Sequence, residues 1–198
     1  MQPTLIATPL HHEGWVYEEK VDGYRMVGYK EGDQVKLVSR QGKDHTHRFP
    51  DLVAAIRVLR FRTLVFDGEV AVYDEQLISR FEWLRQQPRD SVATPPMFMA
   101  FDCLQLDEGD LRSQALRVRR ERLEYVLDRA PAVLLPVRRL SDDGRKAWRE
   151  VVEHGYEGLV AKDPASPYLG GRTVEVVEGE AAGLSRRGAR LGPEALTW

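Results

Sequence analysis

One cysteine, Cys103, stands among the 198 residues, so no disulfide can close within the chain and the sequence fits a reducing compartment. No apolar run approaches the roughly 20 residues needed to cross a bilayer, and no secretory leader precedes the first predicted strand. The cytoplasm is therefore the expected location, with no membrane partner. Nor is there a surplus of positive charge: 29 Lys and Arg face 31 Asp and Glu, a formal charge of -2, with a pI near 6.2. That balance excludes a basic coat for nucleic acid, and any such contact must come from a local patch. The histidines His11, His12, His45, His47 and His154 lack the cysteine or acidic spacing of a structural zinc site, and His45-x-His47 reads as a solvated loop. Repeats and low-complexity tracts are absent too.

What is present suits one domain with a substantial core: 42% hydrophobic and 30% charged residues are ordinary for globular protein. Alternation predicts strands over 14–19, 25–29 and 35–39, with Glu31-Gly32-Asp33 turning between the last two. Phe49-Pro50-Asp51 opens a helix through Leu59, with Leu52, Ala55, Ile56 and Leu59 on one face. A short helix covers 81–86, with Trp83 as a packing residue. A longer helix covers 116–129, with Leu116, Leu123, Val126 and Leu127 inward. Ser141-Asp142-Asp143 can cap another, which carries Trp148 and ends at Gly155. The pattern reads as α+β with mainly antiparallel sheets.

The most informative segment is Lys20-Val21-Asp22-Gly23-Tyr24-Arg25. A lysine becomes a nucleophile only when its ammonium loses a proton, which burial and neighbouring cations favour. Arg25 offers a fixed fork for ribose or phosphate oxygens, and Gly23 allows the backbone to turn or to approach a ligand closely. The same residues also describe a solvated β-turn. Four further segments follow in order: Ser39-Arg40-Gln41-Gly42; Phe66-Asp67-Gly68-Glu69, at the junction of two apolar runs; Phe101-Asp102; and Glu157-Gly158-Leu159-Val160-Ala161-Lys162. Taken singly, each has a plainer reading: core packing for Phe101, a hairpin turn for Asp67-Gly68, and a solvent-facing carboxylate after a helix for Glu157. Arg117, Arg119, Arg120 and Arg122 form either a patch for DNA or a solvated helix face.

The ordered set, from about Trp15 to Arg172, resembles the covalent nucleotidyltransferases, and among them the ATP-dependent DNA ligases of the compact bacterial and end-joining type. The resemblance implies an α+β, mainly antiparallel two-sheet, ATP-grasp-like adenylation domain over residues 1–172, with helices flanking the sheets and the nucleotide between them. Matched position by position, it makes Lys20 the residue that takes AMP from ATP. Glu18 then contacts the adenine edge, Phe101 stacks on the base, and Glu69 binds the ribose. Arg25 and Arg40 contact the nucleotide sugar and phosphates or the DNA phosphate, Lys162 adds positive charge near the phosphates, and Glu157 and Asp67 hold Mg2+. ATP and Mg2+ are the implied cofactors, nicked or broken double-stranded DNA is the implied partner, and a monomer is expected. NAD is not the expected donor, because nineteen residues precede Lys20 and relatives that use NAD carry a nicotinamide-capturing domain there.

The likeness fails after Arg172. The family continues with a strand Trp-Leu-Lys-x-Lys, whose lysines bind ATP phosphates, whereas this chain reads Thr173-Val174-Glu175-Val176-Val177-Glu178-Gly179-Glu180. Glutamate codons are GAR, and Glu175, Glu178 and Glu180 each precede a residue whose codon begins with G. One nucleotide downstream, each becomes ARG, which encodes only lysine or arginine, and positions 176–180 can spell Trp-Leu-Lys-Val-Lys. Residues 173–198 are thus expected to be an atypical, frameshifted and disordered tail. The family's C-terminal oligonucleotide-binding (OB) fold is expected to be absent, with nick sealing impaired. An RNA ligase or RNA-capping guanylyltransferase, and an inactive nucleotide- or DNA-binding remnant, are the alternatives.

Overall fold

The computed structural model describes residues 2–5, 11–85 and 94–181, less the side chains of 2, 3, 5 and 172–175. Its ten strands form two sheets. The smaller has the order β1-β10-β9-β2, built from β1 (Gln2–Leu5), β2 (Val16–Glu19), β9 (Gly158–Lys162) and β10 (Arg172–Glu180). The larger runs β4-β3-β5-β6-β7, from β3 (Tyr24–Glu31), β4 (Gln34–Ser39), β5 (Thr63–Ala71), β6 (Met97–Leu106) and β7 (Gly109–Asp110), and β8 (Leu134–Pro136) also pairs with β6. Among the described residues, only the β1/β10 and β6/β8 pairs are parallel. The expected α+β, mainly antiparallel two-sheet class is what the chain adopts.

Helices cover the sheets where their apolar faces require it. On α1 (Pro50–Arg57), Leu52, Val53, Ala55 and Ile56 join Leu37, Phe66 and Phe98 in the main core, and Leu123, Val126 and Leu127 of α3 (Leu116–Leu127) enter the same cluster. The α4 helix (Gly144–His154) puts Ala147 and Val151 against Tyr17, Leu159, Ala161 and Val177 of the smaller sheet, with Trp148 packed alongside. Asp143 caps α4 by accepting hydrogen bonds from the Arg145 and Lys146 amides, and Gly155 closes it in the left-handed region at φ 73°. Helix α2 is the single turn Phe81–Arg85.

Three expectations change. Asp67-Gly68-Glu69 is neither a junction nor a hairpin turn but the middle of the continuous nine-residue strand β5, because β3 and β6 pair along both of its edges. The four-arginine face of α3 is not solvated throughout: Arg117 and Arg122 are exposed, whereas Arg119 and Arg120 are buried. Finally, residues 172–180, mostly assigned to a disordered tail, form β10, which pairs antiparallel with β9 from Val176 to Glu180 and parallel with β1. Residues 182–198 lie outside the described residues.

Gly158 is pressed against β10: a Cβ there would lie 2.1 Å from the Gly179 carbonyl oxygen. Backbone cannot yield as a flexible side chain can, so Gly158→Ala must separate β9 from β10. A loss of about 2 kcal/mol or more is expected, measured by urea unfolding; a variant within 0.5 kcal/mol of the parent, roughly the surface-substitution range, would show that the strands give way freely.

Candidate active site

A cavity of about 400 Å³ opens onto both sheets. Glu18, Lys20, Glu157, Lys162 and Glu178 line it from the smaller sheet and the segments flanking its strands, Arg25, Glu69 and Phe101 from the larger, and Arg40 from the loop after β4. Seven of the eight residues expected from the sequence besides Lys20 therefore share one cavity with that lysine; Asp67 does not.

Lys20 follows β2, and its amide donates to the Gly158 carbonyl at 3.0 Å. Its Nζ donates to Glu157 Oε1, and to Glu180 Oε1 at 2.9 Å. Burial alone would favour the neutral amine, but the bonds to Glu157 and Glu180 outweigh it and raise the lysine above its ordinary value. Its bonded neighbours are carboxylates, not the cations that would favour deprotonation, so the resting amine is an ammonium. Asp22 accepts from the Phe81 amide at 3.3 Å, while its own amide donates to Ser79 Oγ at 2.9 Å. These bonds pin the loop that leads from Lys20 to β3. Gly23 is obligatory there, since a Cβ would fall 2.3 Å from the Val70 carbonyl oxygen.

Asp67 is fully buried, and both its oxygens are taken by the Arg25 fork at 3.2 and 2.7 Å, with the Tyr168 hydroxyl donating to Oδ2 at 2.8 Å. The metal role expected of it is corrected accordingly: Asp67 fixes Arg25. The Arg25 guanidinium lies 5.3 Å from the Phe101 ring centroid and the Lys162 amine 4.7 Å from it. Phe101 is half-buried and outside the core clusters, which sets aside its reading as core. Lys162 is not a free cation near a phosphate site, because its amine donates to Glu18 Oε2. Glu18 is buried, with Arg120 at 3.1 Å, yet its Oε1 lacks a hydrogen bond among the described residues. Arg40 is exposed at the cavity wall.

Sequence reasoning gave no place at this cavity to Asp102, Arg119, Arg120 or Tyr168. Asp67 and Asp102 face each other across β5 and β6, and two buried carboxylates in register require separate cations. Arg119 supplies the second, binding Asp102 through two bonds of 2.7 and 2.9 Å. Helical spacing held the missed signal, since Arg119 falls three residues after Leu116 and four before Leu123, on the inward face.

Burial pushes Glu69 up to about 8, despite Arg25. Glu157 is likewise raised, first by burial, with Asp22 and Glu180 adding repulsion. Among the described residues no cluster of three or more His, Cys, Asp or Glu has metal-binding geometry, and no helix is long and apolar enough to cross a membrane.

Comparison with known proteins identifies relatives over most of the chain. Residues 4–176 match the family described as ATP dependent DNA ligase domain. The chain is 36% identical over 158 residues to the multifunctional non-homologous end joining DNA repair protein LigD of Mycobacterium tuberculosis, covering 80% of this chain and 20% of that protein. It is also 36% identical over 172 residues to DNA ligase C1 of Mycolicibacterium smegmatis, covering 80% of this chain and 49% of the relative. The chain thus spans between a fifth and a half of these relatives. A solved structure of mycobacterial DNA ligase D complexed with ATP and MES superposes with a TM-score of 0.77 at 30% identity, covering 90% of this chain and 59% of that one. The Lig E DNA ligase structure, at 17% identity and a TM-score of 0.60, shows the shared fold alone.

Beside Lys20, Glu19 is 3% exposed and raised from 4.5 to about 7 by burial, against the opposing pull of Arg138 and His154. A folded-state pKa above the unfolded one contributes stability below about pH 4.5, which is lost as pH rises through 7, at most about 3 kcal/mol from 1.36 kcal/mol per unit. Glu19→Gln should therefore gain on the parent by up to that amount between pH 4.5 and 8 in chemical denaturation. A difference that stays flat with pH would place the titration elsewhere.

Proposed function

This chain belongs to the ATP-dependent DNA ligases and carries their adenylation domain, and from that premise we propose that the cavity is where Lys20 is adenylylated. The observation that carries the reading is the convergence of Lys20 with Arg25, Glu69, Phe101 and Glu157 on one cavity, from segments as far apart as residues 20 and 157.

In this reading, adenine stacks on Phe101, whose ring is fixed beside Arg25 and Lys162, and its exocyclic amine donates to Oε1 of Glu18, which is ion-paired with Arg120 but accepts no hydrogen bond among the described residues. Glu69 accepts from a ribose hydroxyl. The Nη1 of Arg25, not used on Asp67, and the guanidinium of Arg40 meet phosphate oxygens. Lys20 gives a proton to Glu157 and attacks the α-phosphorus: an N–P bond forms, and the P–O bond to pyrophosphate breaks. A DNA 5′-phosphate oxygen next attacks the same phosphorus, breaking the N–P bond. The adjacent 3′-hydroxyl then attacks the DNA phosphate, AMP leaves, and the nick closes. Each step gains from alignment within the cavity.

Glu157, crowded by Asp22 and Glu180, is an oxygen donor whose surrounding negative charge a hard divalent cation would relieve. Mg2+ held there would offset the charge on departing pyrophosphate. Asp67, already bonded by Arg25 and Tyr168, takes no part in holding it.

With saturating ATP labelled at the α-phosphate and Mg2+, an acid-labile label is expected on Lys20, absent from Lys20→Ala and not formed with GTP. Glu69→Ala should lower its rate roughly 10- to 100-fold, as loss of a ribose contact worth about 1.4–3 kcal/mol implies. The isolated adduct should pass AMP to nicked DNA rather than nicked RNA. Label from GTP instead would favour a capping guanylyltransferase, transfer to RNA an RNA ligase, and a folded chain with no label an inactive remnant.

A further inference from the structure

Strand β10 turns alternate side chains to one face, and Val176, Glu178 and Glu180 share that alternation. Val176 and Glu178 line the cavity, and Glu180 reaches Lys20 at 2.9 Å with its side chain still 51% exposed. Backbone pairing fixes this orientation: Glu178 lies opposite Val160 and Glu180 opposite Gly158 on β9.

The charge around them matters because a triphosphate is a polyanion. Carboxylates outnumber cations on the cavity wall, and most of the cations are already committed. Lys20 is paired with Glu157 and Glu180, Arg25 with Asp67, Arg119 with Asp102, and Lys162 with Glu18. Of the cations on that wall, Arg40 alone lacks an ion-pair or hydrogen-bond partner among the described residues. Unlike Glu18 and Asp102, which are buried against arginine, Glu178 meets no cation in any ion pair among the described residues.

Building on the adenine-nucleotide reading above, we propose that Glu178 and Glu180 turn this cavity against polyphosphates, so that it accepts an adenine nucleoside or nucleoside monophosphate in preference to the triphosphate. Glu180 also holds the attacking amine, so its contact must break before Lys20 reaches phosphorus. The chain therefore restrains its own first step by charge placed at two positions on one strand. Those are also two of the positions at which the reading frame one nucleotide downstream encodes lysine or arginine.

Calorimetric titration of the intact chain with adenosine, AMP, ADP, ATP and inorganic tripolyphosphate, in metal-free buffer, tests this. Affinity is expected to fall at least tenfold from AMP to ATP. E178Q/E180Q should abolish the fall, and E178K/E180K should invert it and bind tripolyphosphate at least tenfold more tightly than the parent. Raising NaCl from 50 to 500 mM should strengthen ATP binding by the parent, since repulsion is screened, and weaken it in the lysine variant. A parent that prefers ATP to AMP, or glutamine and lysine variants that bind the series as the parent does, would overturn the proposal. Tripolyphosphate, lacking base and ribose, separates the two readings. A gain for it in E178K/E180K with no label ever reaching Lys20 upholds the charge argument and defeats adenylylation. Efficient labelling of Lys20 in the parent, with ATP affinity equal to that of the variants, does the reverse.

Discussion

The site depends on one short crossing, in which the chain leaves the smaller sheet at Glu19 and enters the larger at Tyr24. Lys20 occupies the first position of that passage, and its backbone is tied to Gly158 while its amine is tied to Glu157. Both ties reach the same stretch at the start of β9. The lysine is thereby held from the main chain and from the side chain at once, which restricts it far more than a surface ion pair could. Gly23 makes the passage possible, because the turn into β3 brings its α-carbon against the Val70 carbonyl. The position of Lys20 is thus a property of two sheets meeting, not of a flexible loop.

Burying charge stabilises a protein only when each charge finds a partner, and that requirement organises the larger sheet's side of the cavity. Opposed across β5 and β6, Asp67 and Asp102 would repel one another in a low-dielectric interior. Arg25 answers the first from the neighbouring strand and Arg119 the second from α3. Arg119 then donates to the carbonyls of Gln114 and Ser166 as well, and Tyr168 closes on Asp67. One consequence is mechanical, since helix, sheet and the segment after β9 are locked together around the cavity wall. Another is chemical: a guanidinium forked on Asp67 has a fixed plane, so whatever its remaining nitrogen meets is met at a set angle.

Much of this was legible in residue order. Alternating and helical periodicities placed β3, β4, α1, α3 and α4 to within a few residues, because those elements have one apolar face and identifiable ends, such as Asp143 and Gly155. Lys20, Arg25, Glu69, Phe101 and Glu157 were legible as one set because each lies in a short segment of unusual composition. Partnerships were not legible. Nothing local says that Asp67 faces Asp102, that Lys162 answers Glu18, or that Arg120 turns inward beside them. Such pairs follow from strand register and helix docking, which depend on the whole chain. Asp67 was read as a turn residue for this reason, as an Asp-Gly pair between apolar runs looks like a hairpin until the strand on either side is seen.

The last strand separates what the fold requires from what the chemistry requires. β10 needs apolar residues where it meets the core, and Val176 and Val177 supply them at 5% and 7% exposure. Its partners β1 and β9 ask only for backbone hydrogen bonds. Neither demand concerns charge at positions 178 and 180, which are partly exposed. A segment whose sequence departs from its family can therefore keep the family's strand, because β structure here is set by alternation and neighbours rather than by identity. The proposed chemistry has no such tolerance: the same two side chains lie on the face that meets Lys20 and the cavity, where, on the proposal above, their sign decides which anions can enter. On that proposal, what holds the strand in its sheet and what the cavity admits are set by different residues of the same strand.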